Sequence, residues 1–187
     1  MLAIISPSKT QDFSQCDIDI FSQTRQIESS NELIGILKNK SKSQIAKLMS
    51  ISEKLSELNF DRFQNFQLPF TLKNAKQAIL AFKGDVYNGI NAPELSHEDL
   101  EFAQGKVRML SGLYGVIRPL DLIQPYRLEM GTKLSNAKGG DLYDYWGSDI
   151  SSVLNEDEPD LIVNLASNEY SKAIDKKTLN ADILDIV

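Results

Sequence analysis

Side chains able to take up an anion recur in this chain at the ends of apolar runs. The densest stretch is 108–131, RMLSGLYGVIRPLDLIQPYRLEMG. Within it, Leu110-Ser111-Gly112-Leu113-Tyr114-Gly115-Val116 sets two glycines three apart among apolar residues. Glycines there can take positive φ and leave the backbone bare of Cβ atoms. A following turn of helix would point unpaired N–H groups at an approaching anion. A helix-hairpin-helix module grips a DNA phosphate in this way, and the amides of Gly112, Leu113 and Gly115 would make the contact. Arg108, Arg118 and Arg127 add guanidiniums suited to forked phosphate contacts. The plainer account is a tight turn joining two packed elements, since short glycine patterns are common.

Four further clusters follow the same rule. Leu2-Ala3-Ile4-Ile5 ends in Ser6-Pro7-Ser8-Lys9-Thr10, where Lys9 and Thr10 could bind a phosphate, although the glycines of a P-loop are missing. Ala78-Ile79-Leu80-Ala81-Phe82 ends in Lys83-Gly84-Asp85, where Asp85 could pair with Lys83 or act as a base. Tyr126-Arg127-Leu128-Glu129-Met130 alternates, which puts Arg127 and Glu129 on one face as a salt bridge or a ligand clamp. Leu161-Ile162-Val163-Asn164-Leu165-Ala166 ends in Ser167-Asn168-Glu169-Tyr170. Sites in α/β proteins favour loops at the carboxyl ends of strands.

The elements that must carry these loops can be read from periodicity. Residues 2–5, 78–82 and 161–166 read as buried strands, with 78–82 central, and 181–187 starts another. Residues 11–30 read as irregular. From Asn31 helical spacing takes over, and about 31–67 reads as a helical layer: Ser41 and Gln44 offer a capping box, Ser52 starts a third run, and Leu55, Leu58 and Phe63 face inward. Ser96 caps a helix whose first turn holds His97, Glu98 and Asp99. Whether that helix ends near Gly105 or runs to Leu110 decides if 97–125 is a helix-hairpin-helix element or a strand and loop. Asp141 caps a helix burying Leu142, Tyr145, Trp146, Ile150 and Leu154. The expected class is α/β (mixed α+β), a central mixed sheet with a helical layer, within one domain spanning 1–187.

Composition sets the outer bounds. The chain has 187 residues, 42% hydrophobic and 25% charged, which suits a globular domain with a sizeable core. The single cysteine, Cys16, excludes an internal disulfide, and the single histidine, His97, argues against multi-imidazole zinc sites. No metal site or cofactor is expected. No apolar run reaches the roughly 20 residues of a membrane span, and the amino terminus lacks the basic region of a secretion signal. A net charge of −6 argues against nonspecific coating of DNA but allows a local basic cleft among the cations of 73–133.

Taken together, LAIISPSKT, AILAFKGDVYNGI, RMLSGLYGVIRPLDLIQPYRLEMG, DLYDYWG and LIVNLASNEYSKAI resemble the YaaA family of bacterial peroxide-stress proteins over nearly the whole chain. The resemblance implies a cytoplasmic protein made in response to hydrogen peroxide, which limits unincorporated iron and oxidative DNA damage. It also implies double-stranded DNA as partner, bound with weak sequence preference through a helix-hairpin-helix element and a basic cleft in an unusual α/β fold. Family members are longer, so a carboxyl-terminal segment is expected to be missing. Carried onto this sequence, that element falls on Leu110 to Val116 and its flanks, and the expected DNA contacts are Lys9, Lys83, Arg108, Gly112, Leu113, Gly115, Arg118 and Arg127. The alternative is an enzyme acting on a nucleotide or damaged nucleobase, in a pocket that adds Thr10, Asp85, Glu129, Asn164, Ser167, Glu169 and Tyr170.

Overall fold

The computed structural model describes residues 1–186. Nineteen short elements follow in chain order. The first are β1 (Leu2–Ile5), β2 (Thr10–Gln11), α1 (Ile27–Lys38), α2 (Lys42–Met49) and α3 (Glu53–Gln64). Next come β3 (Lys76–Gln77), α4 (Ala78–Ala81), β4 (Phe82–Lys83), α5 (Asp85–Ile90), a 3-10 turn (Ala92–Glu94) and α6 (His97–Lys106). They are followed by β5 (Val107–Ser111), β6 (Gly115–Ile117), β7 (Leu122–Ile123), α7 (Leu142–Trp146) and α8 (Asp149–Asn155). The last are β8 (Leu161–Asn164), α9 (Asn168–Ser171) and β9 (Asp182–Asp185). Position 187, the end of the expected last strand, lies outside the described residues.

The fold is mixed α/β. Its main sheet has five strands in the order β6-β5-β1-β8-β9. β1 pairs in parallel with β5 (Ile4 opposite Arg108) and with β8 (Ala3 opposite Val163), and β9 continues parallel to β8. Only β6 runs the other way, against β5. The apolar run that opens the chain is therefore the middle strand, and Ile4, Met109, Leu110 and Ile162 are fully buried along it. The parallel strands deliver the loops after Ile5 and Asn164 to one edge of the sheet.

Local chemistry explains the helix starts. The Ser41 hydroxyl accepts from the Gln44 amide while the Gln44 side chain accepts from the Ser41 amide, and Ser96 with Asp99 repeats this box on α6. Ser52 and Asp141 cap α3 and α7. The helical layer begins earlier than its spacing suggests, at Ile27. On α3 the inward face is Ser56, Asn59 and Phe63, and Leu55 and Leu58 are exposed. The polar pair is held inside by bonds to neighbouring carbonyls: Ser56 Oγ donates to the Lys42 carbonyl, and Asn59 Nδ2 to that of Leu55. The helix over 142–154 is interrupted at Gly147, yet all five expected core residues on it are buried.

Two expectations are overturned. Residues 78–82 are not a central strand: Ala78–Ala81 is a single helical turn between two-residue strands. Its amides are drawn to another segment, Ala78 N–H to the Asp121 carbonyl (2.9 Å) and Ile79 N–H to that of Pro119 (3.0 Å). A short apolar run fits a buried turn as well as a strand, and tertiary bonding decides. Nor is 97–125 a helix-hairpin-helix element. α6 ends at Lys106, and Val107–Ser111 pairs with Gly115–Ile117 as a β-hairpin. Ser111 Oγ accepts from the Leu113 and Tyr114 amides, and the Trp146 indole donates to the Gly112 carbonyl at 3.0 Å. Gly112 is glycine because a Cβ there would collide with the Leu128 carbonyl, and Gly115 because its φ is +68°. The glycines serve the turn, inside the core.

Candidate functional site

Four loops meet at the carboxyl edge of the sheet. The loop after β1 supplies Ser6, Pro7, Ser8 and Lys9. It is tied down by the Tyr87 hydroxyl, which donates to the Ser6 carbonyl at 2.8 Å, and by Ser6 Oγ, which accepts from the Ser167 amide at 2.9 Å. β2 pairs with β4, placing Thr10 opposite Lys83. The segment 126–131 buries Tyr126, Leu128 and Met130 and leaves Arg127 and Glu129 on the other face, as their alternation suggests. The loop after β8 brings Glu169, whose carboxylate accepts from the Gly131 amide at 3.0 Å.

Between these loops lies a narrow cleft lined by Ser8, Lys9, Tyr126, Arg127, Glu129 and Tyr170. Glu129 Oε1 holds two cations at once, Arg127 Nη2 at 2.9 Å and Lys9 Nζ at 3.3 Å. With that bridge closed, the cleft has a free volume of only about 10 Å3. Lys9 is 62% exposed, and exposed ion pairs contribute about 0–1 kcal/mol, so a ligand can displace the Lys9 arm at little cost, while two hydrogen bonds keep Arg127 on Glu129. Burial pushes the Tyr87, Tyr126 and Tyr170 phenols up, well beyond neutrality, so they act as neutral hydroxyl groups. Arg62, in the last turn of α3, faces the same neighbourhood. Burial first, and then the like charge of Arg127, lower its guanidinium from the ordinary arginine value. Among the described residues it has no carboxylate within ion-pair distance, and its side chain donates to Asn59 Oδ1.

The residues singled out in the sequence divide sharply. Lys9, Lys83 and Arg127 share the carboxyl edge, and Lys83 lies 3.8 Å from Asp12. Arg108 is only 3% exposed, its Nε donating to Asp157 Oδ2 at 2.7 Å and its Nη1 to the Gln104 and Val107 carbonyls. Arg118 leaves β6 toward the opposite edge. There it bonds the fully buried Asp121 at 2.9 Å and the Gln23 carbonyl at 3.0 Å. Gly112, Leu113 and Gly115 lie in the buried hairpin, their amides out of a ligand's reach. Of the remaining candidates, Glu129 and Tyr170 line the cleft and Glu169 clamps its rim. Thr10 and Asp85 are exposed beside it. Asn164 and Ser167 line a neighbouring groove of about 750 Å3 against β9, where Asn164 Nδ2 donates to Asp185 Oδ1 at 2.7 Å.

A family model described as Peroxide stress protein YaaA (H2O2_YaaD) matches residues 1–187. The chain belongs to this family. Its family-like stretches from the amino terminus, from 126–131 and from 161–170 supply the loops that close the cleft. The hairpin stretch lies beneath them as support. Sequence reading passed over Arg62, Lys40 and Lys47, because the helical layer was given no chemistry, whereas Lys133 fell among the cations of 73–133. A signal was present, since Lys40, Gln44 and Lys47 recur at helical spacing. No helix among the described residues is long and apolar enough to cross a membrane.

Proposed function

We propose that this peroxide-stress protein acts in the cytoplasm by holding the phosphates of double-stranded DNA at the carboxyl edge of its sheet. The observation that carries this reading is the grouping of Lys9, Lys83 and Arg127 on adjoining loops of that edge. A phosphate there would replace the weak Lys9–Glu129 contact. Arg108, Arg118 and the hairpin glycines drop out of the contact set and act as structural groups. Contacts of this type position a duplex without reading its bases, so sequence preference is weak. Limiting unincorporated iron and oxidative DNA damage rests on the family resemblance.

The test is anisotropy of a labelled duplex over a salt series. Lys9→Glu/Arg127→Glu should abolish binding, whereas Arg118→Lys should bind as the parent does. Undiminished binding by the cleft variant would remove the cleft from the DNA site. The enzyme reading draws on the same cleft, where Glu129, Tyr170 and Ser8 stand beside two cations. It requires that a nucleotide or an oxidised-base oligonucleotide be converted to a product. In the same titration it is favoured only if such a compound competes with the duplex and is consumed.

A further inference from the structure

At the carboxyl edge Lys9, Lys83 and Arg127 each lie against a carboxylate. A second basic region is built differently. An open trough of about 600 Å3 runs between the end of α1, the outer face of α2 and the turn after Met130. It is lined by Lys40, Gln44, Lys47, Ser50, Thr132 and Lys133, together with Leu48 and Gly131. No carboxylate lines it, and among the described residues none of its three lysines forms an ion pair. In a chain of net charge −6, three uncompensated ammonium groups around one trough mark a site for an anion.

We propose that this trough is a second phosphodiester site, which takes the backbone of a duplex and passes it to the strand-end cleft; the proposal rests on the DNA reading above. Three features select this ligand. The groups are lysines, point charges on long stems, which suit a series of backbone phosphates better than the forked recognition of one carboxylate. The trough is open to solvent, so an extended ligand can reach its lysines. No aromatic ring lines it, which removes the stacking platform that single strands use.

One stretch of backbone contributes to both the trough and the cleft. Arg127 and Glu129 line the cleft, and Gly131, Thr132 and Lys133 line the trough, on one continuous segment. That segment is pinned where the two meet, by the Gly131 amide on Glu169 and by the Thr132 amide on the Glu129 carbonyl at 3.1 Å. The other wall is fixed by Ile45 and Met49, which anchor α2 in the core.

The test uses the full chain and the variant Lys40→Gln/Lys47→Gln/Lys133→Gln. Loss of three phosphate contacts should reduce the slope of log K against log salt by about 2.7 and weaken duplex binding at least roughly tenfold. A variant with the parent's affinity and slope overturns the proposal, as does a parent chain that binds no duplex. If Lys9→Glu/Arg127→Glu retains binding while the trough variant loses it, the trough stands and the cleft reading falls. If the trough variant loses binding to polyglutamate but not to duplex, the trough belongs to an acidic peptide and the proposal is overturned.

Discussion

At Asp157 one carboxylate receives two guanidiniums, Arg108 Nε at 2.7 Å and Arg25 at 3.2 Å. Burial alone would raise this carboxyl. The Arg108 hydrogen bond and the charges of Arg108 and Arg25 outweigh it, and the net shift is downward. A carboxyl depressed in the folded state stabilises the fold above its unfolded pKa, and loses that contribution as pH falls through the folded one. The urea midpoint of the parent should therefore drop on acidification below the usual carboxylate range. Asp157→Asn should start lower at neutral pH and show a shallower drop. An identical pH profile would remove Asp157 from the acid response. This pairing was closed to sequence reading, because Arg108 and Asp157 are far apart in the chain and an arginine beside two glycines looks the same in a ligand site or a core.

Elements whose cause is local were the legible ones. The capping boxes at Ser41 and Ser96 need only neighbours three residues away, and both are present. Ser41→Ala should cost about 1 kcal/mol, read as a lower urea midpoint with unchanged slope. An unchanged midpoint would mean that α2 is held by Ile45 and Met49 alone. The alternation at 126–130 was likewise readable, because one face is buried. The turn at Ala78–Ala81 and the hairpin at Ser111–Gly115 were not. Their amides are satisfied by Asp121, Pro119 and Ser111, partners that no periodicity reveals. The uncharged inward face of α3 escaped notice for the same reason: Ser56 and Asn59 are buried through bonds to carbonyls.

Across the whole molecule, the long matching stretches identified the family, but they could not say which cations share a surface. That depends on strand order, and the order sends Lys9 and Arg118 to opposite edges. It also sets a hierarchy of protection. Amides of Ile4, Met109 and Leu110, in the middle of the sheet and fully buried, should exchange slowest with deuterium, and those of β9, mostly exposed at the margin, among the fastest. Fast exchange at Ile4 would contradict the central position of β1.

That position also shapes the molecule's birth. β1 is made well before the two strands it pairs with, which begin only at Val107 and Leu161. Leu2, Ile4 and Ile5 thus wait for both neighbours until those strands are made, and pairings so distant in the chain form slowly. The sheet cannot close before Leu161 has been made, and until then a nascent-chain chaperone has Leu2, Ile4 and Ile5 to shield.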